Sequence, residues 1–269
     1  MKKIKLFWIL SASLLIINLI AYLAVKGEAI RYISDILPVL CSFFAIYGML
    51  SAYNGFKVHD MVRTAWLLIL IGVTIDFLAE STYSILELGL SMDMDEAFPT
   101  LADILWCLGY LPFFAGLVIL FNEYRKSGFP LGNIKMQGII LSIFLIISVT
   151  VFFLILTPII KDEETTILSK IFSLYYPIGD ILTVSMAMIL LFLINQFGKG
   201  RNTLPWKTLS LGFFFFTISD LLYAYFDWNN TYDSGNFIDL GWNFGYLLIG
   251  IAGLYQRYLI DLVKERIKL

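Results

Sequence analysis

Histidine is almost missing from this chain: His59 stands alone among 269 residues. Hydrolases that gather several imidazoles around a metal are thereby excluded, because a lone loop His has no second His to complete a site. Cysteine is nearly as scarce. Cys41 and Cys107 both fall within long apolar stretches, so two unpaired core thiols are expected rather than a disulfide. Charge is thin too, at 15% of residues against 59% hydrophobic, and a soluble domain needs more polar exterior than that. The chain lacks a Walker loop, a G-x-S-x-G elbow and an H-E-x-x-H helix. Pro177-Ile-Gly-Asp180 places Pro where the G-x-G-D of intramembrane aspartyl proteases has its first Gly, and the last two apolar blocks hold no central Lys for retinal. No cofactor and no nucleic-acid partner are expected; whether a metal is bound stays open.

What the chain has is long apolar blocks, with a mean hydropathy of +0.81. Leu6–Val25, Ile36–Tyr53, Ala65–Ile85, Leu101–Phe121, Gly138–Thr157, Tyr175–Ile194, Trp206–Phe226 and Phe237–Tyr258 each approach or exceed the ~20 residues that cross a bilayer. Backbone groups in lipid must be satisfied within the segment, so helices are expected; the alternating short segments of a β-barrel do not occur. The fold class read from the sequence is an all-α polytopic bundle of eight spans. The first block has a basic start, and Ala21, Ala24 and Ala29 offer small residues for a cleavage site. Its apolar run is longer than a signal peptide's, so a retained helix is expected.

Loop charges set an orientation. With the N-terminus inside, all Lys and Arg residues except Lys26, Arg31, Lys161 and Lys170 fall in cytoplasmic segments, including Lys199 and Lys268, while only Asp60, Glu123, Asp261 and Glu265 of the 21 acids do. Basic residues resist translocation. A multi-pass protein of the cell membrane with both termini cytoplasmic follows.

The blocks also resemble one another. At constant offsets, Trp66, Gly72, Glu80 and Tyr83 fall on Trp206, Gly212, Asp220 and Tyr223. Asp103, Trp106, Gly109 and Tyr110 fall on Asp239, Trp242, Gly245 and Tyr246, and Asp35 falls on Asp180. Chance matching aligns Leu with Ile; it does not readily align Trp, Gly, Tyr and acids in order over successive helices. Two four-helix membrane repeats are expected, 1–125 and 137–269, joined by a cytoplasmic junction at 126–136 with Gly128, Pro130 and Gly132. An even number of helices per unit makes the repeats parallel.

The repeated acids are the candidate site. Asp35, Asp103, Asp180 and Asp239 lie near expected helix starts, where carboxylates cap free N–H groups and meet the positive helix end. Thr100-Leu-Ala-Asp103 has capping-box spacing, and Asn236-Phe-Ile-Asp239 is a looser version. Capping does not account for Glu80 and Asp220. Each lies roughly 21 Å along its helix from the preceding Trp, at about 1.5 Å per residue, toward a C-terminal end that disfavours negative charge. Asp76, Glu80, Tyr83 and Glu87 share one helical face, as do Asp220, Tyr223 and Asp227. Two such faces toward a common axis would make an acidic pocket open to the outside, though polar packing is the other reading. Trp106 and Tyr110 follow Asp103, and Trp242 and Tyr246 follow Asp239, as pocket-lining or core aromatics. Trp8, Trp66, Trp206 and Trp228 are expected in interfacial belts.

The stretch Phe98-Pro-Thr-Leu-Ala-Asp103-Ile-Leu-Trp-Cys-Leu-Gly-Tyr110-Leu-Pro112 resembles a pattern of prokaryotic multi-pass membrane sensory regions. There an acidic loop leads into Pro-Ser-x-Ala-Asp, an aromatic and Gly-Tyr-Pro, ahead of diguanylate cyclase, phosphodiesterase or histidine kinase modules. Here Thr100 takes the Ser position and Leu111 separates Tyr110 from Pro112. The resemblance implies a stand-alone sensory region, or one that signals through a separate cytoplasmic protein, and it transfers no catalytic residue. The leading functional expectation is therefore a membrane sensor or receptor-like module, more a binder than an enzyme. A small ligand, cation or proton would bind Glu80 and Asp220, helped by Asp76, Asp103 and Asp239. A small cation- or proton-coupled transporter is the alternative, and an intramembrane lipid-processing enzyme the third.

Overall fold

The computed structural model describes residues 2–25, 27–128, 133–195, 200–229, 231–232 and 235–267, and its regular structure there is helical. Junction residues 129–132, with Pro130 and Gly132, lie outside the described residues, as do Lys26, Lys199 and Lys268. Eight long helices follow in order: α1 Lys2–Ala24, α2 Glu28–Tyr53, α3 Met61–Ser84, α4 Leu101–Lys126, α5 Ile134–Val151, α6 Ile167–Asn195, α7 Leu204–Trp228 and α8 Asp239–Ile267. α3 runs on as a π-turn over Ile85–Gly89, and α5 continues through a π-turn at Phe152–Leu156 into Thr157–Lys161.

Polar side chains start several helices. Asp60 accepts from Val62 N at 2.9 Å before α3, and Asn133 from Lys135 N at 2.8 Å before α5, each satisfying an otherwise free amide. Pro38, Pro112 and Pro177 sit inside α2, α4 and α6. Each deprives the carbonyl four residues earlier of its helical donor, which membrane helices tolerate where other groups serve that carbonyl.

Among the described residues seven helices are long and apolar enough to cross a membrane, and α1, with the shorter apolar stretch Trp8–Ala24, makes eight long helices in all. The chain is an all-α, multi-pass membrane protein whose exposed apolar side chains, such as Leu141, Leu145 and Phe153 on α5 and its extension, suit a lipid surround.

The helix contacts close a ring. α2 packs on α3, α3 on α4, α4 on α6, α6 on α7, α7 on α8, and α8 back on α2. In this order α2 stands opposite α6, α3 opposite α7, and α4 opposite α8. α1 rests outside on α8 and α2, while α5 with its extension rests on α6 and α7. The α2–α8 contact is close because Gly48 meets Gly250 and Gly253 backbone to backbone, leaving no room for a Cβ. Inside one part of the ring, Met49, Trp66, Ile69, Leu117, Leu209, Phe213 and Leu247 form an apolar plug. Trp66 is fully buried there, its ring 6.2 Å from that of Trp206. An interfacial belt position for Trp66 is therefore corrected: the residue is core. Cys41 and Cys107 are buried and unpaired, as expected.

Candidate functional site

Beside this plug the ring encloses a cavity of about 660 Å³. All the residues expected to bind a ligand line it. From α3 come Asp76, Glu80 and Tyr83; from α4, Asp103, Trp106 and Tyr110. From α7 come Asp220 and Tyr223; from α8, Asp239, Trp242 and Tyr246. Asp35, Asp180 and Asp227 complete the acidic lining, and no Lys, Arg or His is among the described lining residues.

Two of the expected helix caps are corrected. α2 begins at Glu28 and α6 at Ile167, so Asp35 and Asp180 lie within their helices, about two and nearly four turns in. The apolar blocks began late because Arg31, Lys170 and several serines dilute the first turns of both helices. The other two acids do lie at helix starts. Asp103 completes a capping box, accepting from Thr100 N at 2.7 Å and from the Thr100 hydroxyl at 2.8 Å. Asp239 accepts instead from Gly235 N at 3.0 Å, while Asn236 accepts from Ile238 N at 3.3 Å.

Aromatic donors fix the carboxylates. The Trp242 indole donates to Asp220 at 2.6 Å, and the Tyr110 hydroxyl to Asp180 at 2.8 Å and Asp220 at 3.3 Å. Tyr246 donates to Glu80 at 2.7 Å, joined there by the Trp106 indole. Glu80 and Asp220 are thus each held by one Trp and one Tyr. Tyr83 and Tyr223 pack on those indoles, with ring centroids 5.6 Å from Trp106 and 5.8 Å from Trp242. Gly109 lets Asp76 in, since a Cβ there would collide with its carboxylate.

Sequence reasoning missed Tyr176, which donates to Asp103 at 3.0 Å, and Tyr22 and Tyr232, which donate to Asp239 at 3.3 and 3.0 Å. Tyr232 lies in the α7–α8 loop, where burial and the neighbouring Asp239 charge hold its phenol protonated well above the ordinary range. No periodicity marks these tyrosines in the sequence. Glu87 leaves the cavity face altogether: it sits in the π-turn after α3 and pairs with Arg31.

Oxygen-rich as it is, the lining does not form a metal cage. Among the described residues no three His, Cys, Asp or Glu side chains converge on a point that could hold an ion, whereas hard cations take six or more oxygens around one centre. Aromatic faces and spread carboxylates suit a larger positive group. In comparison with known proteins, the chain matches no family model, no curated protein and no solved structure.

Proposed function

We propose that this protein is a receptor-like membrane sensor that binds a small cationic ligand in its acidic–aromatic cavity. The carrying observation is a cavity with carboxyl groups from α2, α3, α4, α6, α7 and α8 and no basic residue among the described lining residues. Charge of one sign inside a membrane bundle calls for a compensating positive group, a ligand or a proton. Glu80 and Asp220 make the principal contacts, held ready by Trp106 with Tyr246 and by Trp242 with Tyr110. Asp76, Asp103 and Asp239 contribute to the field. The loop-charge bias supports an orientation with the cavity toward the outside and both termini in the cytoplasm. The chain then reads as two parallel four-helix units in tandem, 1–125 and 137–269, and the Trp-plus-Tyr clamp recurring on Glu80 and Asp220 agrees with that.

The resemblance of Phe98–Pro112 to prokaryotic sensory regions supports sensing, with output through a separate cytoplasmic partner. The apolar cluster around Trp66 and Met49 beside the cavity supports binding over transport. A lipid-processing enzyme needs carboxylates at a lateral opening, and the crevice between α4 and α6 is lined by Ile104, Cys107, Leu108, Ile171, Phe172 and Tyr175, without one.

Thermal unfolding of the purified protein across a panel of inorganic and organic cations and across pH tests this. A ligand at a hundred times its Kd adds about 2.7 kcal/mol, so at least one condition is expected to raise the wild-type Tm by about 5 °C. Glu80→Gln/Asp220→Asn is expected to lose that response. Identical responses of wild type and variant across the panel would contradict the reading. Uptake into proteoliposomes that disappears in the variant would replace it with transport.

A further inference from the structure

Two carboxyl oxygens buried in the cavity wall lack a hydrogen-bond partner. Asp180 on α6 is 2% exposed and Asp35 on α2 is 5% exposed; both line the cavity, and Oδ2 of each has no hydrogen-bond partner. Asp180 lies within hydrogen-bonding reach of Asp220, and Asp35 of Glu87; ionised carboxylates only accept, so each pair needs one shared proton or a bound cationic donor in its place. A buried acceptor without a donor is costly, and more so when charged. The two sites stand on opposite walls, since α2 and α6 face each other across the ring. Each has a second acceptor nearby. Pro38 and Pro177 withhold the N–H that would serve the carbonyls of Ser34 and Ser173, and both serines line the cavity.

We infer that the ligand is a linear diamine or polyamine, with one ammonium group at Asp180 and Asp220 on α6 and α7 and a second at Asp35 on α2. This inference rests on the cation-binding reading above and names its ligand class. A primary ammonium carries three N–H donors, which unpaired oxygens require; a quaternary ammonium carries none. Inorganic cations are disfavoured because the carboxylates do not converge. The aliphatic chain crosses between aromatic walls that include Tyr110, Tyr176, Phe216 and Trp242, whose faces also attract the charged ends. A cavity of about 660 Å³ lies within the range of small-molecule sites. The two heads are not equivalent. Arg31 pairs with Glu87 beside Asp35, whereas among the described residues no Lys or Arg lines the cavity beside Asp180, so the α6 site binds the first ammonium.

The test is calorimetric titration of the full chain in nanodiscs with α,ω-diamines from 1,3-diaminopropane to 1,8-diaminooctane, alongside n-butylamine, tetramethylammonium and Mg²⁺. Two fixed, opposed sites predict an affinity maximum at one chain length, about tenfold above n-butylamine through linkage of the two heads. Asp180→Asn and Asp35→Asn are each expected to remove most of that advantage. The chain-length series uses wild-type protein, so it decides the matter even where a variant fails to fold. A flat series, or tetramethylammonium or Mg²⁺ binding as tightly as the best diamine, overturns the diamine assignment. If another cation or acid pH still stabilises wild type but not Glu80→Gln/Asp220→Asn, only the ligand class falls. If nothing binds and pH has no effect, the cation-binding reading falls with it.

Discussion

Asp103→Ala is expected to lower stability by about 3 kcal/mol, built from two losses. Removing the capping box costs about 1 kcal/mol. Stripping the partner from buried donors costs about 1–3 kcal/mol more, because the Thr100 amide and the Tyr176 hydroxyl both end on this carboxylate. Tyr176→Phe alone should cost about 1 kcal/mol. The double variant should cost less than the sum of the two, since Tyr176→Phe removes a donor that Asp103→Ala would strand. Unfolding in mild detergent, monitored by intrinsic fluorescence, gives all three values. A loss under about 1 kcal/mol for Asp103→Ala would mean that the cap adds little, and would leave Asp103 free to serve mainly as part of the charged lining.

Asp103 shows how far the sequence could be read. Thr100 and Asp103 carry a local signal, the three-residue spacing of the box, and the bond forms between atoms close in the chain. The same logic failed at Asp35 and Asp180 because it needed the helix start, and hydropathy marks where lipid begins rather than where hydrogen bonding begins. α2 and α6 each run about two turns beyond the apolar edge. Glu80 and Asp220 were identified by exclusion, since nothing local explained them, and both line the cavity. Their donors were not legible: Tyr246 of α8 reaches Glu80 of α3, and Tyr110 of α4 reaches Asp220 of α7, relations fixed only by ring order. The seven long spans follow from hydropathy alone, whereas the packing of α5 against α6 and α7 leaves no periodic trace in so uniformly apolar a helix.

Trp66→Ala should be the most damaging single change in the apolar plug, costing about 3–5 kcal/mol. The side chain is fully buried and its ring lies 6.2 Å from Trp206. Met49, Ile69, Leu117 and Leu209 are buried in the same cluster, so the emptied site would leave a cavity among them. Trp66→Phe should be much milder. The Trp66 indole N–H is buried without a partner, so phenylalanine loses packing area but also removes an unsatisfied donor worth about 1–3 kcal/mol. Melting curves of the two variants beside wild type check this. A Trp66→Phe variant as unstable as Trp66→Ala would mean that the indole N–H has a partner or that ring size dominates.

The central claim, a negatively charged cavity open to the cell exterior, is tested most directly by charge-selective labelling of one lining position. In a background with Cys41 and Cys107 replaced by serine, Ser173→Cys puts a thiol on the lining beside Tyr176 and Asp180. Membrane-impermeant methanethiosulfonates of opposite charge are then added to intact cells. The account predicts that the cationic reagent reacts from outside at least about tenfold faster than the anionic one, a ratio that narrows as salt screens the field. Equal rates for both reagents, or labelling only in inverted vesicles, would contradict it.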